Sequence, residues 1–381
     1  MTEVREVDTG APAERYARGW HALGLAAGFR DGKPHGINAF GQKLVIFADE
    51  HDELKVIDSY CRHMGGDLSQ GTLKDGAVAC PFHDWRWSGD GVCRKVPYAK
   101  RAPRLARTHT WITLERNGIL FVWHDTEGNP PQPEVTIPEL ECFDNPQWSE
   151  WTWHTTIIEG AHPREVVDNH ADMAHFFYVH FSIVDEFFNV FDGHTARQYI
   201  RSRVRPDTGP GADFAGNSVL VSDSTYHGPA FLPARLTSRV GELDIDSILL
   251  LCNYPIDHNS FQLQWATSTR KLPELDDAGN AGLASLLDTA ATDGFVQDAE
   301  IWRSKTRMEN PLLTDEDGPV YHLRRWYQQF FVDAADVAPE MTQRFEFQVD
   351  TTNAAEIWTA EVANNLATSK NAEHEPIPQH H

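Results

Sequence analysis

Cys61-Arg-His63 is followed, sixteen residues on, by Cys80-Pro-Phe-His83. Each of two short loops therefore offers one thiolate and one imidazole. Two thiolates on one iron and two imidazoles on the other hold a [2Fe–2S] cluster, and the imidazoles raise its potential. A structural zinc site also takes two Cys and two His, but zinc loops usually pair Cys with Cys and His with His. The mixed pairs favour the iron–sulfur cluster. Gly65 and Gly66 allow a tight turn beneath it, and Pro81 stiffens the second loop. Such a cluster moves one electron at a time, so the chain should also carry an electron acceptor.

A second constellation lies in Asp168-Asn169-His170-Ala-Asp172-Met-Ala-His175-Phe-Phe-Tyr-Val-His180. Two His and one carboxylate on one face of a metal form a non-haem Fe(II) site with positions open for O₂ and substrate. His175 and His180 are the natural imidazoles. Five helical residues turn through about 500°, which leaves the two rings about 140° apart. Convergence on one metal requires a helix end or a π-bulge between them. Asp172 and His175 share a face at i, i+3, so Asp172 reads as the partner of the His175 ring rather than as a ligand. The third ligand is expected from Asp293-Gly-Phe-Val-Gln-Asp298-Ala-Glu300-Ile-Trp302. On a helix, Phe295, Asp298, Ile301 and Trp302 share one face, and a carboxylate among apolar groups is improbable in an ordinary core. Asp298 is preferred, with Glu300 as fallback and Asp293 as a helix cap. His162 and His170 read as surface histidines.

These residues need a frame to hold them. From residue 16 to 125 the chain reads as short β segments broken by turns: 43–48, 55–58, 77–79 and 118–123, with Cys93 also on a strand. Both cluster loops follow such segments. A Pro-rich polar stretch marks a linker over 126–147. A second, larger domain is expected over 148–368, with strands near 148–156, 197–206, 217–226, 247–254, 260–269 and 341–350. Helices are expected over 161–180, 283–307 and 352–368. The fold class is α+β: a small all-β domain, then a catalytic domain with an antiparallel sheet and flanking helices. Residues 1–15 and the tail 369–381 read as loosely ordered.

Composition narrows the partners. The 381-residue chain has 33 basic and 56 acidic residues, a net charge of −23, which disfavours nucleic acid and anionic membrane surfaces. Of five cysteines, Cys93, Cys142 and Cys252 lie outside the cluster motif, with no disulfide framework. With no signal-peptide pattern, this points to a cytoplasmic protein. The longest aliphatic run, Ile248 to Cys252, is too short to span a bilayer. No GxGxxG follows a strand, so no dinucleotide site is expected in this chain.

The stretches Cys80–Trp87, Asp168–His180, Glu300-Ile-Trp, Asn310-Pro-Leu-Leu, Asp317-Gly-Pro-Val-Tyr and Leu323-Arg-Arg-Trp-Tyr carry a resemblance. Over nearly its whole length the chain resembles the oxygenase components of Rieske non-haem iron oxygenases, and within them the steroid-hydroxylating branch. The resemblance implies a helix-grip-like catalytic domain. It implies one [2Fe–2S] cluster per subunit on Cys61, His63, Cys80 and His83, and one mononuclear Fe(II) on His175, His180 and Asp298. Asp172 would bridge His175 to a cluster-ligating His of a neighbouring subunit in a head-to-tail homotrimer, and Asn169 would lie near the iron. Gln198, Tyr226, Phe295 and Trp302 would line a steroid pocket, with 228–235 at its mouth. The implied reaction is hydroxylation of a 3-ketosteroid at C9α with O₂, in steroid catabolism. The substrate would be the free ketone or a side-chain coenzyme A thioester. Electrons would come from a separate NADH-dependent flavin and iron–sulfur reductase. Asp84, where many Rieske oxygenases carry Gly, departs from the wider pattern. Aromatic-ring dioxygenation and O-demethylation remain open within the family, and a zinc-stabilised binding protein outside it.

Overall fold

The computed structural model describes residues 8–10, 13–209, 218–240 and 242–373. Much of the expectation for residues 1–15, and the tail from 374, lie outside the described residues.

The first domain is all β. Its strands are β1 (Gly19–Leu25), β2 (His35–Ala39), β3 (Gln42–Ala48), β4 (Leu54–Asp58), β5 (Thr72–Lys74), β6 (Ala77–Ala79), β7 (Arg86–Trp87), β8 (Cys93–Lys95), β9 (Thr110–Trp111), β10 (Thr113–Arg116) and β11 (Ile119–His124). They form three sheets, ordered β1-β11-β10, β2-β3-β4-β9 and β5-β6-β7-β8. The period of two along a strand divides the core. Val45, Phe47 and Ile57 point into a cluster with Trp85, Trp87, Cys61 and Cys80. Leu44, Ile46 and Val56, from the same two strands, face the opposite core with Leu120 and Val122.

The second domain comprises β12 (Thr152–Glu159), α1 (Arg164–Asp168), α2 (His175–Tyr178), β13 (Ser182–Asp192), β14 (Thr195–Val204), β15 (Ser218–His227), β16 (Phe231–Val240), β17 (Leu243–Asp257), β18 (Ser260–Thr269), α3 (Asp277–Ser304), α4 (Val320–Gln328), α5 (Pro339–Thr342), β19 (Phe345–Gln348) and α6 (Thr352–Glu373). Its strands form one antiparallel sheet, β12-β18-β17-β16-β15-β14-β13-β19. Trp20, Ala22, Phe121 and Trp123 of the first domain pack with Phe231, Leu250, Cys252 and Ala266 of the sheet. Helix α3 packs with Leu251, Leu263 and Trp265 through Ala299 and Trp302. The middle of β17 is thus covered on both faces, which explains five consecutive apolar residues from Ile248 to Cys252. The connecting segment is fastened to this core: Val135 and Ile137 join the interdomain cluster, and Cys142 and Trp148 pack on Ile248. Among the described residues all five cysteines are free and buried, and no helix is long and apolar enough to cross a membrane.

Several expectations need correction. The single helix over 161–180 is two short helices, because Asp172 Oδ1 accepts from the backbone N–H of Ala174 at 3.0 Å and of His175 at 3.3 Å. That side-chain acceptor starts a new turn. Helix α3 begins at Asp277, not 283, capped by Asp276 accepting from Gly279 N at 2.8 Å. Gly279 and Gly282 weaken the propensity signal there. The strand expected over 341–350 shrinks to β19, since Pro339 opens a helical turn. Strand β12 starts at Thr152 rather than 148, and α6 runs on to Glu373. Strands β13 and β16 were not anticipated. Residues 228–235 reach the cavity with two side chains: Pro229 bridges Trp20 of the first domain, and Leu232 and Ala234 line the cavity.

Burial holds several histidines neutral. His21 is 1 % exposed, and burial, against the opposing pull of the Ala17 carbonyl, pushes it down to about 4. Burial pushes His124, His170 and His227 down to about 4 as well, and His162 to about 3. Between the unfolded value near 6.5 and these folded values, the unfolded chain binds more protons, so stability falls as pH falls. For His21 the loss is on the order of 3 kcal/mol once pH is below 4. Thermal unfolding followed across pH 7 to 4 should show the midpoint falling, most steeply below pH 6.5.

Candidate active site

The cluster loops follow β4 and β6. Cys61 N–H donates to the Gly66 carbonyl at 2.8 Å, Gly65 N–H to the Cys61 carbonyl at 2.8 Å, and Cys80 N–H to the Trp85 carbonyl at 2.9 Å. These bonds aim Cys61 and Cys80 at one another from two chain reversals. The rings of His63 and His83 lie 4.8 Å apart between centroids. Trp85 stacks on His63 at 4.4 Å and 5°, and Trp87 Nε1 donates to Cys61 Sγ at 3.3 Å. His83 Nδ1 is buried with no hydrogen-bond partner among the described residues. Two facing thiols, two adjacent imidazoles and an orphaned ring nitrogen fit a cluster held in the Rieske manner. Asp84 adopts φ 57° and is held by Lys74 and Arg86, so an acidic residue fits where a Gly is common. Gly66 has no such freedom: a Cβ there would lie 2.7 Å from Cys80 Sγ. Gly66→Ala should therefore cost the protein its cluster, read as lost visible absorbance and acid-labile sulfide with the second-domain iron retained.

The second centre gathers three side chains from distant chain positions. Ligand atoms of His175, His180 and Asp298 all lie within 4.8 Å of one another. Helix α2 ends at Tyr178, and this helix end lets both rings converge, with centroids 5.1 Å apart. His180 Nε2 is 3.4 Å from Asp298 Oδ2, and Asn169 Nδ2 donates to Asp298 Oδ1 at 3.2 Å. Asp298 is 6 % exposed, and among the described residues neither Lys nor Arg pairs with it. A buried carboxylate without a cation is costly, and a metal ion removes that cost. This donor set suits non-haem iron. The fallback carboxylate, Glu300, is 71 % exposed and pairs with Arg303 at 2.8 Å. Asp293 is exposed, and so is Ile301, which leaves Phe295, Asp298 and Trp302 as the inward face of α3.

Asp172 Oδ2 lies 3.6 Å from His175 Nδ1, which leaves the ring's Nε2 free for a metal. Burial alone would raise the Asp172 carboxyl, but the His175 ring and two backbone N–H groups outweigh it and hold the group below its usual value. Its side chain remains 38 % exposed. His162 and His170 are buried, not on the surface. His170 Nε2–H donates to the Ala196 carbonyl at 2.8 Å, and the Arg164 N–H donates to His162 Nδ1 at 3.2 Å. A bidentate Arg324–Asp168 pair, at 3.0 and 2.7 Å, anchors the residue just before Asn169.

A cavity of about 350 Å³ runs from the triad between α3 and the sheet. Asn169, Gln198, Tyr226, Phe295 and Trp302 all line it, beside His175, His180 and Asp298. Gln198 Nε2 donates to the His170 carbonyl at 2.9 Å, while the buried Tyr226 hydroxyl has no partner among the described residues. Sequence reasoning missed the aliphatic wall, Leu232, Leu236, Leu249, Leu251 and Leu287. The alternation along β16 and β17 was the available signal, hidden in β17 because both faces are apolar. A larger cavity, about 560 Å³ and rich in arginine, lies on the other face of α1 and contains none of these groups.

Comparison with known proteins places this geometry. Residues 19–111 match the Rieske [2Fe-2S] domain, and residues 122–331 match the 3-ketosteroid 9alpha-hydroxylase C-terminal domain. The chain is 55 % identical to the 3-ketosteroid-9-alpha-monooxygenase oxygenase component of Mycolicibacterium smegmatis, covering 97 % of both chains. It is 52 % identical to the protein of that name from Mycobacterium tuberculosis, over 99 % of this chain and 98 % of the relative. The dicamba monooxygenase crystal structure shares the fold, with a TM-score of 0.68, 17 % identity, and coverage of 86 % of this chain and 98 % of that one. Two facing Cys/His loops in a β domain, and a His/His/Asp triad at one end of an apolar cavity, sit in a chain half identical to these relatives. The chain belongs to the Rieske oxygenases, in the family of 3-ketosteroid-9-alpha-monooxygenase oxygenase components.

Proposed function

We propose that this chain is the terminal oxygenase that hydroxylates a 3-ketosteroid, at C9α, with electrons from a separate NADH-dependent reductase carrying flavin and an iron–sulfur centre. The observation that carries this reading is the apolar cavity ending at the His175/His180/Asp298 triad. Its volume lies in the range that encloses a small apolar ligand. Cys61, His63, Cys80 and His83 hold the [2Fe–2S] cluster, and His175, His180 and Asp298 hold the iron. When bound, the cluster supplies single electrons and the iron supplies the site of O₂ chemistry.

The chain's residues do the rest. Asn169 donates to Asp298 Oδ1 and fixes the orientation of that carboxylate. The Asp172 carboxylate, 3.6 Å from His175 Nδ1, favours a proton on that nitrogen and so leaves Nε2 for the metal. Phe295 and Trp302 flank Asp298 on α3, and the leucine wall of the sheet excludes water from the reacting carbon. Gln198 and Tyr226 supply polar contacts at the triad end. Among the described residues no Lys or Arg lines the cavity, so a neutral steroid lies inside and the charged carrier of any coenzyme A thioester stays outside.

Asp172 also reaches outward. Its partly exposed carboxylate is available to a cluster histidine of a second copy. Tyr60, Met64 and Phe82, exposed around the cluster loops, supply an apolar face for that contact. A head-to-tail homotrimer in the cytoplasm satisfies both. Turnover with a panel of 3-ketosteroids and a competent reductase tests the reading. A 9α-hydroxylated product is expected; a cis-diol or released formaldehyde in its place would overturn it.

A further inference from the structure

The segment from residue 94 to 107 carries Arg94, Lys95, Lys100, Arg101, Arg104 and Arg107 and no acidic residue, in a chain of net charge −23. All six are exposed. Arg94 pairs with Asp90. For Lys95, Lys100, Arg101 and Arg104 no ion pair or side-chain hydrogen bond exists among the described residues, and Arg107 attracts Asp90 without a direct ion pair. Elsewhere the surface arginines are mostly paired, as Arg197 is with Asp223, Arg203 with Asp185 and Arg239 with Asp244. A run of unpaired cations on an acidic protein is a local reversal of the field.

The strip also touches the cluster site. Tyr98, in its middle, is 65 % exposed, and its hydroxyl accepts from Trp85 Nε1 at 2.7 Å. Trp85 stacks on His63 at 4.4 Å. One hydrogen bond and one ring stack therefore join the strip's surface to a residue of the cluster site. Leu105, 91 % exposed, adds a small apolar contact.

We infer that residues 94–107 are the docking surface for an acidic face of the one-electron donor protein, with Tyr98 and Trp85 placed between the donor and the cluster. This rests on the reading of the chain as an oxygenase fed by a separate reductase. Each docking event moves one electron: the donor is oxidised by one, the cluster is reduced by one, and no bond forms or breaks. A transient electron-transfer contact suits small, charged surfaces that steer a partner. A permanent contact between copies has a core depleted of charge, which fits the Tyr60, Met64 and Phe82 face instead.

The test uses the cluster-loaded full chain and the triple variant Lys100→Glu/Arg101→Glu/Arg104→Glu. These side chains have no partners to lose, so folding should be unaffected. Three quantities are read: the dissociation constant for the reductase, the rate of cluster reduction by reductase and by dithionite, and the oligomeric state. Binding and reductase-driven reduction should weaken by about 10–100-fold at low salt and lose most of their salt dependence. Reduction by dithionite and the oligomeric state should stay unchanged. Equal reductase affinity in variant and wild type would overturn the inference. A variant that loses its oligomeric state would overturn it too, by assigning the strip to a contact between copies. If wild type accepts electrons from the reductase through the strip but hydroxylates no steroid, the substrate reading fails and the docking surface stands.

Discussion

Asp172→Asn should leave both metal centres loaded and turnover lost, by about 100-fold or more. The carboxylate can accept from the His175 ring on one oxygen and from a second donor on the other, and it is held ionised below its usual range. Asn matches its shape but brings one acceptor and a donor in place of two acceptors. The His175 Nδ1–H then loses its partner, or the outward contact does. Oδ1, which already accepts from the Ala174 and His175 N–H groups, has an equivalent in the amide oxygen, so the local turn survives. Visible absorbance and iron content should match wild type. Single-turnover reactions started from a pre-reduced cluster should show slow electron transfer and normal steroid binding. Wild-type turnover in this variant would end the bridging role.

Asp298→Ala should remove the mononuclear iron while sparing the cluster, with turnover falling by about 10³-fold or more. Asp298 is the sole carboxylate in the triad, and His180 and Asn169 are its polar neighbours. Without it two imidazoles remain, too few to hold a metal with open positions. Iron analysis should show one iron fewer per subunit, with the cluster spectrum intact. Glu300→Ala is the control, because that carboxylate faces solvent with Arg303 and should leave iron and turnover unchanged. A Glu300 variant that loses iron would reverse the assignment.

The two results probe residues of different legibility. The cluster loops could be read directly, because each places Cys and His within three positions of the other and local turns orient them. The partner relation of Asp172 and His175 was also local, at i, i+3. The need for a helix end before His180 followed from helix geometry, and the chain breaks at Val179. The extent of that break was not legible, since the second helical turn rests on the Asp172 side chain capping the N–H groups of Ala174 and His175. Ile301 was misplaced because i+3 and i+4 neighbours of Asp298 diverge by about 100°. Only the sheet beneath α3 chose Trp302 over Ile301 as the buried one.

The sequence by itself determined the chemistry: the donor types, their local pairing, and the division into an electron-entry domain and a larger acceptor domain. These depend on contacts a few residues apart, which spacing encodes. The tertiary structure decided which carboxylate meets His175 and His180 across more than a hundred residues, and the cavity's leucine wall from β16 and β17. It also buried His162 and His170. Those outcomes rest on strand register and on which face of each element is covered, and chain spacing does not record either.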